Sequence, residues 1–151
     1  MKNNLPDNGQ LYGLSLAHIG LAVENIDSGA DTMRLLTAKA VTPVIEDPVQ
    51  QAFLQMYLSG NTYIELIAPS SEDSHVVKML SGQPSVLAHM CFQTDDISAS
   101  IDHINNSGGL VFKGPAPAKL FGGKQVAFAM LSNRMIVEIV ENGWLENMPQ
   151  L

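Results

Sequence analysis

Two histidines and two glutamates recur at matching places along this chain. His18 lies in Leu16-Ala17-His18-Ile19-Gly20, and His89 lies in Leu87-Ala88-His89-Met90-Cys91, 71 residues later. Glu65, in Tyr63-Ile64-Glu65-Leu66-Ile67, returns as Glu138 in Ile136-Val137-Glu138-Ile139-Val140, 73 residues later. Shifts this close to each other are the mark of an internal duplication with a small loop insertion. If the two copies pair about a pseudo-twofold axis, His18, Glu65, His89 and Glu138 converge in one cleft. Two imidazoles and two carboxylates form a nitrogen and oxygen donor set suited to a divalent metal, whether zinc, nickel, cobalt, manganese or iron(II), and six-coordination leaves positions for water or substrate. A lone strand histidine or glutamate is more often a surface group or a satisfied buried one; four repeat-related positions together reverse that expectation.

The elements that must position these groups follow from local pattern. Each histidine run is apolar and of strand character, and each leads into a polar cluster, Asn25-Ile26-Asp27 or Asp95-Asp96-Ile97-Ser98, that can start a helix. Alternation along the first strand puts Ile19, Leu21 and Val23 on one face and His18, Gly20 and Ala22 on the other, where small neighbours leave a concavity beside the imidazole. By the same alternation Cys91 and Gln93 share the face of His89. The first helix is expected from Asp27 or Ser28, with Ser28 to Asp31 as a weakened capping box, Gly29 loosening its first turn, and Met33 buried with Leu35 or Leu36. Residues 40 to 48 read as a loop, followed by a hairpin of strands 49 to 58 and 62 to 68 turning at Ser59-Gly60-Asn61. A linker over 69 to 84 carries a short helix capped by Ser74 and stopped at Gly82. The second copy repeats the plan with a strand at 86 to 94, a helix at 96 to 106 and strands at 124 to 131 and 134 to 141. The Gly- and Pro-rich stretch Gly114 to Gly123 reads as a surface loop and a candidate lid. Trp144, in the tail, reads as a hydrophobic plug on the outside. His75 and His103 fall on helical segments outside the repeat and read as exposed surface. Lys119 and Lys124, flanking the glycine-rich loop, are candidates for meeting a phosphate or carboxylate.

Composition bounds the function classes. A chain of 151 residues with 46% hydrophobic content can bury a core as one domain or two small halves. Eight Lys and Arg against fifteen Asp and Glu give a formal charge of −7, which disfavours nucleic acid and anionic membrane surfaces as partners. A small anionic substrate therefore needs local cations or a metal. No apolar run reaches the roughly 18 residues of a membrane span, and Met1 to Pro6 lacks the apolar stretch of a signal peptide, so a cytoplasmic protein is expected. The single Cys91 permits no internal disulfide and reads as a buried small hydrophobe. Residues 1 to 13 read as a polar N-terminal arm.

Several of these segments also resemble a known family. His18-Ile19-Gly20-Leu21-Ala22-Val23, Gly60-Asn61-Thr62-Tyr63-Ile64-Glu65-Leu66, Glu72-Asp73-Ser74, His89 with Asp95-Asp96-Ile97, and Gly122 to Phe128 with Val137-Glu138 are similar to segments of the vicinal oxygen chelate (glyoxalase, bleomycin resistance and dioxygenase) superfamily and, within it, of methylmalonyl-CoA epimerases. The Glu72-Asp73-Ser74 match is the most telling, since it is no metal-site requirement. The resemblance implies an α+β fold of two tandem βαβββ modules, 14 to 68 and 85 to 141, joined by the linker 69 to 84 and followed by a tail over 142 to 151. It implies an open, cupped, eight-stranded mixed sheet and a divalent metal held by His18, Glu65, His89 and Glu138.

The implied activity is isomerase or epimerase chemistry, removal of a proton next to a carbonyl, with an acyl thioester such as methylmalonyl-CoA as the leading substrate. Glu138 is then the first choice for ligand and base. Epimerases of this family are expected to use a second carboxylate before the first hairpin, which makes Glu46 the tentative partner, with Asp47 beside it. The chain departs from the family in reading Met33-Arg34-Leu35-Leu36 where an aromatic pair followed by Leu-Gly is usual. It carries Ala22 where glutathione-dependent glyoxalases place an arginine, which argues against the alternative of a lactoylglutathione-lyase-like lyase. A metal-free, drug-sequestering member is the rival from another class, disfavoured by a complete four-ligand set. Open cupped sheets leave edges and apolar faces, so a homodimer is also expected.

Overall fold

The computed structural model describes residues 13–151; apart from Gly13, the expected N-terminal arm lies outside the described residues. The chain alternates strands and short helices in the order β1 (Ser15–Val23), α1 (Ile26–Leu35), β2 (Lys39–Ala40), β3 (Ile45–Asp47), β4 (Ala52–Ser59), β5 (Thr62–Pro69), α2 (His75–Leu80), β6 (Ser85–Thr94), α3 (Ile97–Asn106), β7 (Leu110–Pro117), β8 (Gln125–Met130) and β9 (Ile136–Glu141). The sheet runs β2-β4-β5-β1-β6-β9-β8-β7, with β3 also on β4. β2 and β3 both pair with β4, so they are two pieces of one edge strand, and the sheet has the eight strand positions of a mixed, open α+β architecture. The expected loop at 40 to 48 is thus a broken edge strand.

The two halves follow one plan. β1 runs parallel to β5 and β6 parallel to β9, while β1 and β6 join the halves antiparallel at the centre. Glu65 lies opposite Gly20, two residues beyond His18, and Glu138 lies opposite Cys91, two residues beyond His89. The repeat predicted by spacing is therefore a repeat of register. Alternation sorts the two faces. Leu21, Val23, Tyr57 and Leu66 pack with Met33 of α1 on one side, and Phe92, Val137 and Ile139 pack with Ile104 of α3. The apolar face of the first strand is thus covered by the chain's own helices. The other, concave side holds Leu54, Met56, Cys91, Leu120, Phe121, Val140 and Trp144. Among the described residues no helix is long and apolar enough to cross a membrane.

Local chemistry sets the helix starts. The Asn25 side chain accepts from the Ser28 amide at 2.8 Å, which makes Asn25 the cap and starts α1 at Ile26, ahead of the expected Asp27 or Ser28. Met33 is buried as expected, but Leu35 and Leu36 are exposed. Asp96 caps α3 by accepting from Ala99, and Ser74 caps α2 as read from sequence, with Ser81 in the left-handed region closing it before Gly82. The first hairpin turns at Gly60, whose φ of 58° suits a residue without Cβ.

Two expectations are corrected. The stretch from Gly114 to Gly123 is not a surface lid: it completes β7 as far as Pro117, and its turn then drives Ala118, Leu120 and Phe121 into the concave core. Trp144 is not an outer plug, because the tail folds back and buries its indole against Tyr63 and Phe121, with Nε1 donating to Gln93 Oε1 at 2.9 Å. In both cases apolar bulk inside a polar or glycine-rich stretch finds the concavity that the sheet leaves open.

Candidate metal centre

All four repeat-related side chains meet on the concave face, and all four are buried. His18 comes from β1 and Glu65 from β5 in one half; His89 comes from β6 and Glu138 from β9 in the other. His18 Nε2 lies 3.0 Å from Glu65 Oε2 and 3.3 Å from Glu138 Oε2. His89 Nε2 lies 2.9 Å from Glu138 Oε2, 3.4 Å from Glu65 Oε2 and 3.3 Å from His18 Nε2. The same atom of each side chain thus faces a common point.

These distances test whether a metal fits. Ligands about 2.1 Å from a shared ion stand roughly 3.0 Å apart at octahedral neighbouring positions and about 3.4 Å apart in a tetrahedron. The separations given above run from 2.9 to 3.4 Å, close to that interval, and all four ligand atoms lie within 4.8 Å of one another. Glu138 Oε2 is buried without a hydrogen bond, although two imidazole nitrogens stand within 3.3 Å of it. An unsatisfied buried carboxylate oxygen aimed at the centre of a nitrogen and oxygen donor set is what a divalent cation satisfies. The residues therefore fit such an ion.

Without an ion the cluster is held by protons. Burial pulls the His89 pKa down, but Glu138 and Glu65 outweigh it and push it up to about 10. Burial likewise pulls His18 down, and the same two carboxylates outweigh it and raise it. Burial would raise the Glu138 carboxyl, yet His18 and His89 bring it down to about 2, and Glu65 is lowered for the same reason. Burial pushes the Cys91 thiol well above its usual value, which keeps it an inert hydrophobe.

The two histidines are not equivalent. His89, Glu65 and Glu138 open onto a cavity of about 590 Å³, whereas His18 lies beneath, walled by the rings of Phe121 at 5.5 Å and Trp144 at 5.7 Å. The His18 Nδ1 atom has no hydrogen-bond partner, so aromatic packing orients this ring where a carboxylate or carbonyl usually would. Apolar side chains, among them Leu54, Ile67, Leu120 and Phe128, line most of the cavity, with Lys78 and Lys113 as its cations. The small-residue concavity beside the first histidine is filled by the other one: a Cβ on Gly20 would stand 2.4 Å from His89 Cε1 and 2.7 Å from both ring nitrogens. Gly20→Ala should therefore displace the His89 ring. We expect metal affinity to fall about ten- to hundredfold, measured by competition with a chromophoric chelator. Stability should fall by about 1–3 kcal/mol in urea unfolding of the metal-free protein.

Not every expected residue is brought here. Glu46 sits on the β3 edge with its side chain exposed, does not line the cavity, and uses its carbonyl to accept from Lys119 Nζ at 2.7 Å. Strand alternation is the reason, since it turns Asp47 inward and Glu46 outward. Asp47 in turn is spent on the following bend: Oδ1 accepts from the Val49 and Gln50 amides, and Oδ2 accepts from Gln50 Nε2. His103 lies exposed on α3, as read from sequence. His75 is exposed too, as read from sequence, yet it also lines the cavity, with Gln50, Lys78 and Met79. Its place directly after the family-like Glu72-Asp73-Ser74 was the available signal.

A family model described as the Glyoxalase/Bleomycin resistance protein/Dioxygenase superfamily matches residues 17–128. Ethylmalonyl-CoA/methylmalonyl-CoA epimerase from Cereibacter sphaeroides is 27% identical over 114 residues, covering 75% of this chain and 85% of that protein. The crystal structure of methylmalonyl-CoA epimerase from Mycobacterium tuberculosis superposes with a TM-score of 0.73 at 18% identity, covering 87% of this chain and 89% of that one. A Streptomyces coelicolor methylmalonyl-CoA epimerase variant in complex with 2-nitronate-propionyl-CoA gives 0.70 at 23% identity, covering 83% and 95%. The structural likenesses establish the shared fold. With a family model spanning most of the chain, from just before His18 into β8, the protein belongs to the Glyoxalase/Bleomycin resistance protein/Dioxygenase superfamily.

Proposed function

We propose that the protein is a metal-dependent epimerase that removes and returns a proton α to the carbonyl of an acyl-CoA thioester such as methylmalonyl-CoA. The observation that carries this reading is the cluster of two histidines and two glutamates of which Glu65, His89 and Glu138 line the cavity. His18, Glu65, His89 and Glu138 would hold the ion, which when bound supplies a Lewis acid for charge developing on the substrate carbonyl oxygen. The chain's own residues do the rest. Glu138 takes the α-proton: of the two cluster carboxylates that reach the cavity, Glu65 and Glu138, it is the one with a buried oxygen that lacks a hydrogen-bond partner. Lys78 and Lys113 give an acidic protein a local positive field for the anionic parts of the substrate. Leu54, Ile67, Phe121 and Phe128 exclude water from the reacting carbon.

The test is solvent deuterium exchange at the α-carbon of methylmalonyl-CoA with the protein loaded with cobalt or with zinc. Exchange accompanied by interconversion of the two epimers is expected; no exchange with any of several divalent metals would overturn the reading. Metal content after native purification separates this enzyme from a metal-free sequestering protein, for which stoichiometric metal is not expected.

A further inference from the structure

Epimerisation needs a proton donor or acceptor on each face of the reacting carbon, because a carboxylate fixed in the sheet meets only one of them. Among the residues lining the cavity, Glu65 and Glu138 are the acidic ones, and both belong to the cluster. Glu46 lies outside the cavity and Asp47 is engaged with Val49 and Gln50. The bend that Asp47 ties down instead carries Gln50 into the cavity wall, beside His75. His75 is the first residue of α2, whose start is fixed by the buried Ser74 hydroxyl accepting from Val76 and whose other face is sunk through Val76 and Leu80. The imidazole therefore stands on a well-anchored element of its own, separate from the strands that bear Glu138.

We propose that His75 is the second acid–base residue of the reaction, exchanging the substrate's α-proton on the face opposite Glu138. In one direction the Cα–H bond breaks, its electron pair is delocalised into the thioester carbonyl, and the proton passes to the Glu138 carboxylate. The His75 imidazolium then loses an N–H proton as a new C–H bond forms on the other face. The enzyme is left with Glu138 protonated and His75 neutral; solvent returns both, or the reverse reaction does. The groups facing His75 are the Lys113 ammonium from β7 and the Gln50 backbone from the bend after β3, with Lys78 one turn along its own helix. Burial and Lys113 lower its pKa against an upward pull from the hydrogen bond with Gln50. Its exposed place on the cavity wall lets it exchange protons with water, so the neutral imidazole accepts in one direction and, once protonated from water, donates in the other.

This proposal rests on the α-proton exchange reading, and the experiment separates the two. The cobalt-loaded protein is incubated with each epimer of methylmalonyl-CoA in deuterated water, and α-exchange and epimerisation are followed separately by NMR. In His75→Gln, an amide that can still donate to the Gln50 carbonyl, exchange of the epimer whose proton faces Glu138 should persist. Exchange of the other epimer, and epimerisation, should fall by about 10²–10³-fold. His75→Glu should restore part of the epimerisation and move the acid limb of its pH profile to lower pH. Wild-type epimerisation in His75→Gln, or equal loss of exchange for both epimers, would overturn the assignment. Absence of exchange in the unmutated protein would overturn the underlying reading, and this proposal with it.

Discussion

Glu138→Gln should keep the fold and most of the metal while losing turnover by about 10²–10⁴-fold, the usual contribution of a positioned general base. The substitution is isosteric at a buried position, so the packing of β9 against β6 and β8 need not change. The amide oxygen still offers a lone pair to an ion, but it cannot accept and return a proton. Two readouts separate the roles: metal per chain after dialysis, and the α-exchange rate on methylmalonyl-CoA. Glu65→Gln serves as the control, because it removes the same charge from the cluster and should cost less turnover. Wild-type exchange by metal-loaded Glu138→Gln would show that the base lies elsewhere.

Metal binding should release protons and depend steeply on pH. An imidazole ligates only when neutral, yet the metal-free cluster holds His89 protonated up to about 10 and raises His18 as well. Binding at pH 7 therefore displaces the His89 proton and any proton that His18 holds, so apparent affinity should rise at least about tenfold per pH unit between roughly 7 and 9. Calorimetry in buffers of differing ionisation enthalpy measures the proton count; a pH-independent affinity with no proton release would refute it. The signs for the metal-free fold run differently. The raised His89 contributes stability that is complete below about 6.5 and is lost as pH rises through about 10. The depressed Glu138 contributes stability present above about 4.5 and lost as pH falls through about 2. The metal-free protein should accordingly be most resistant to urea between about pH 4.5 and 6.5 and weaken on either side. His89→Ala should abolish most of the alkaline decline.

The sequence by itself determined the four cluster residues, because a duplication preserves register and period-2 alternation tells which side of a strand a residue takes. His18 and Glu138 could be assigned to one face without knowing any distance between them. The strands carrying the cluster, and α2 and α3, were legible for the same reason, since each is specified by pattern and cap within about ten residues. Only the tertiary structure decided what closes the site. Phe121 and Trp144 come from a glycine-rich turn and from the tail, and neither stretch has a period that announces burial; each is drawn in because the cupped sheet leaves apolar surface that long-range chain reversal can cover. The same holds for the fate of the acidic pair before the first hairpin. One residue of register on the short β3 edge sends Glu46 to solvent and commits Asp47 to the bend, and that register depends on pairing with β4. His75 reaches the cavity through the docking of α2 between the halves, a contact between segments whose local sequence reads only as a short capped helix.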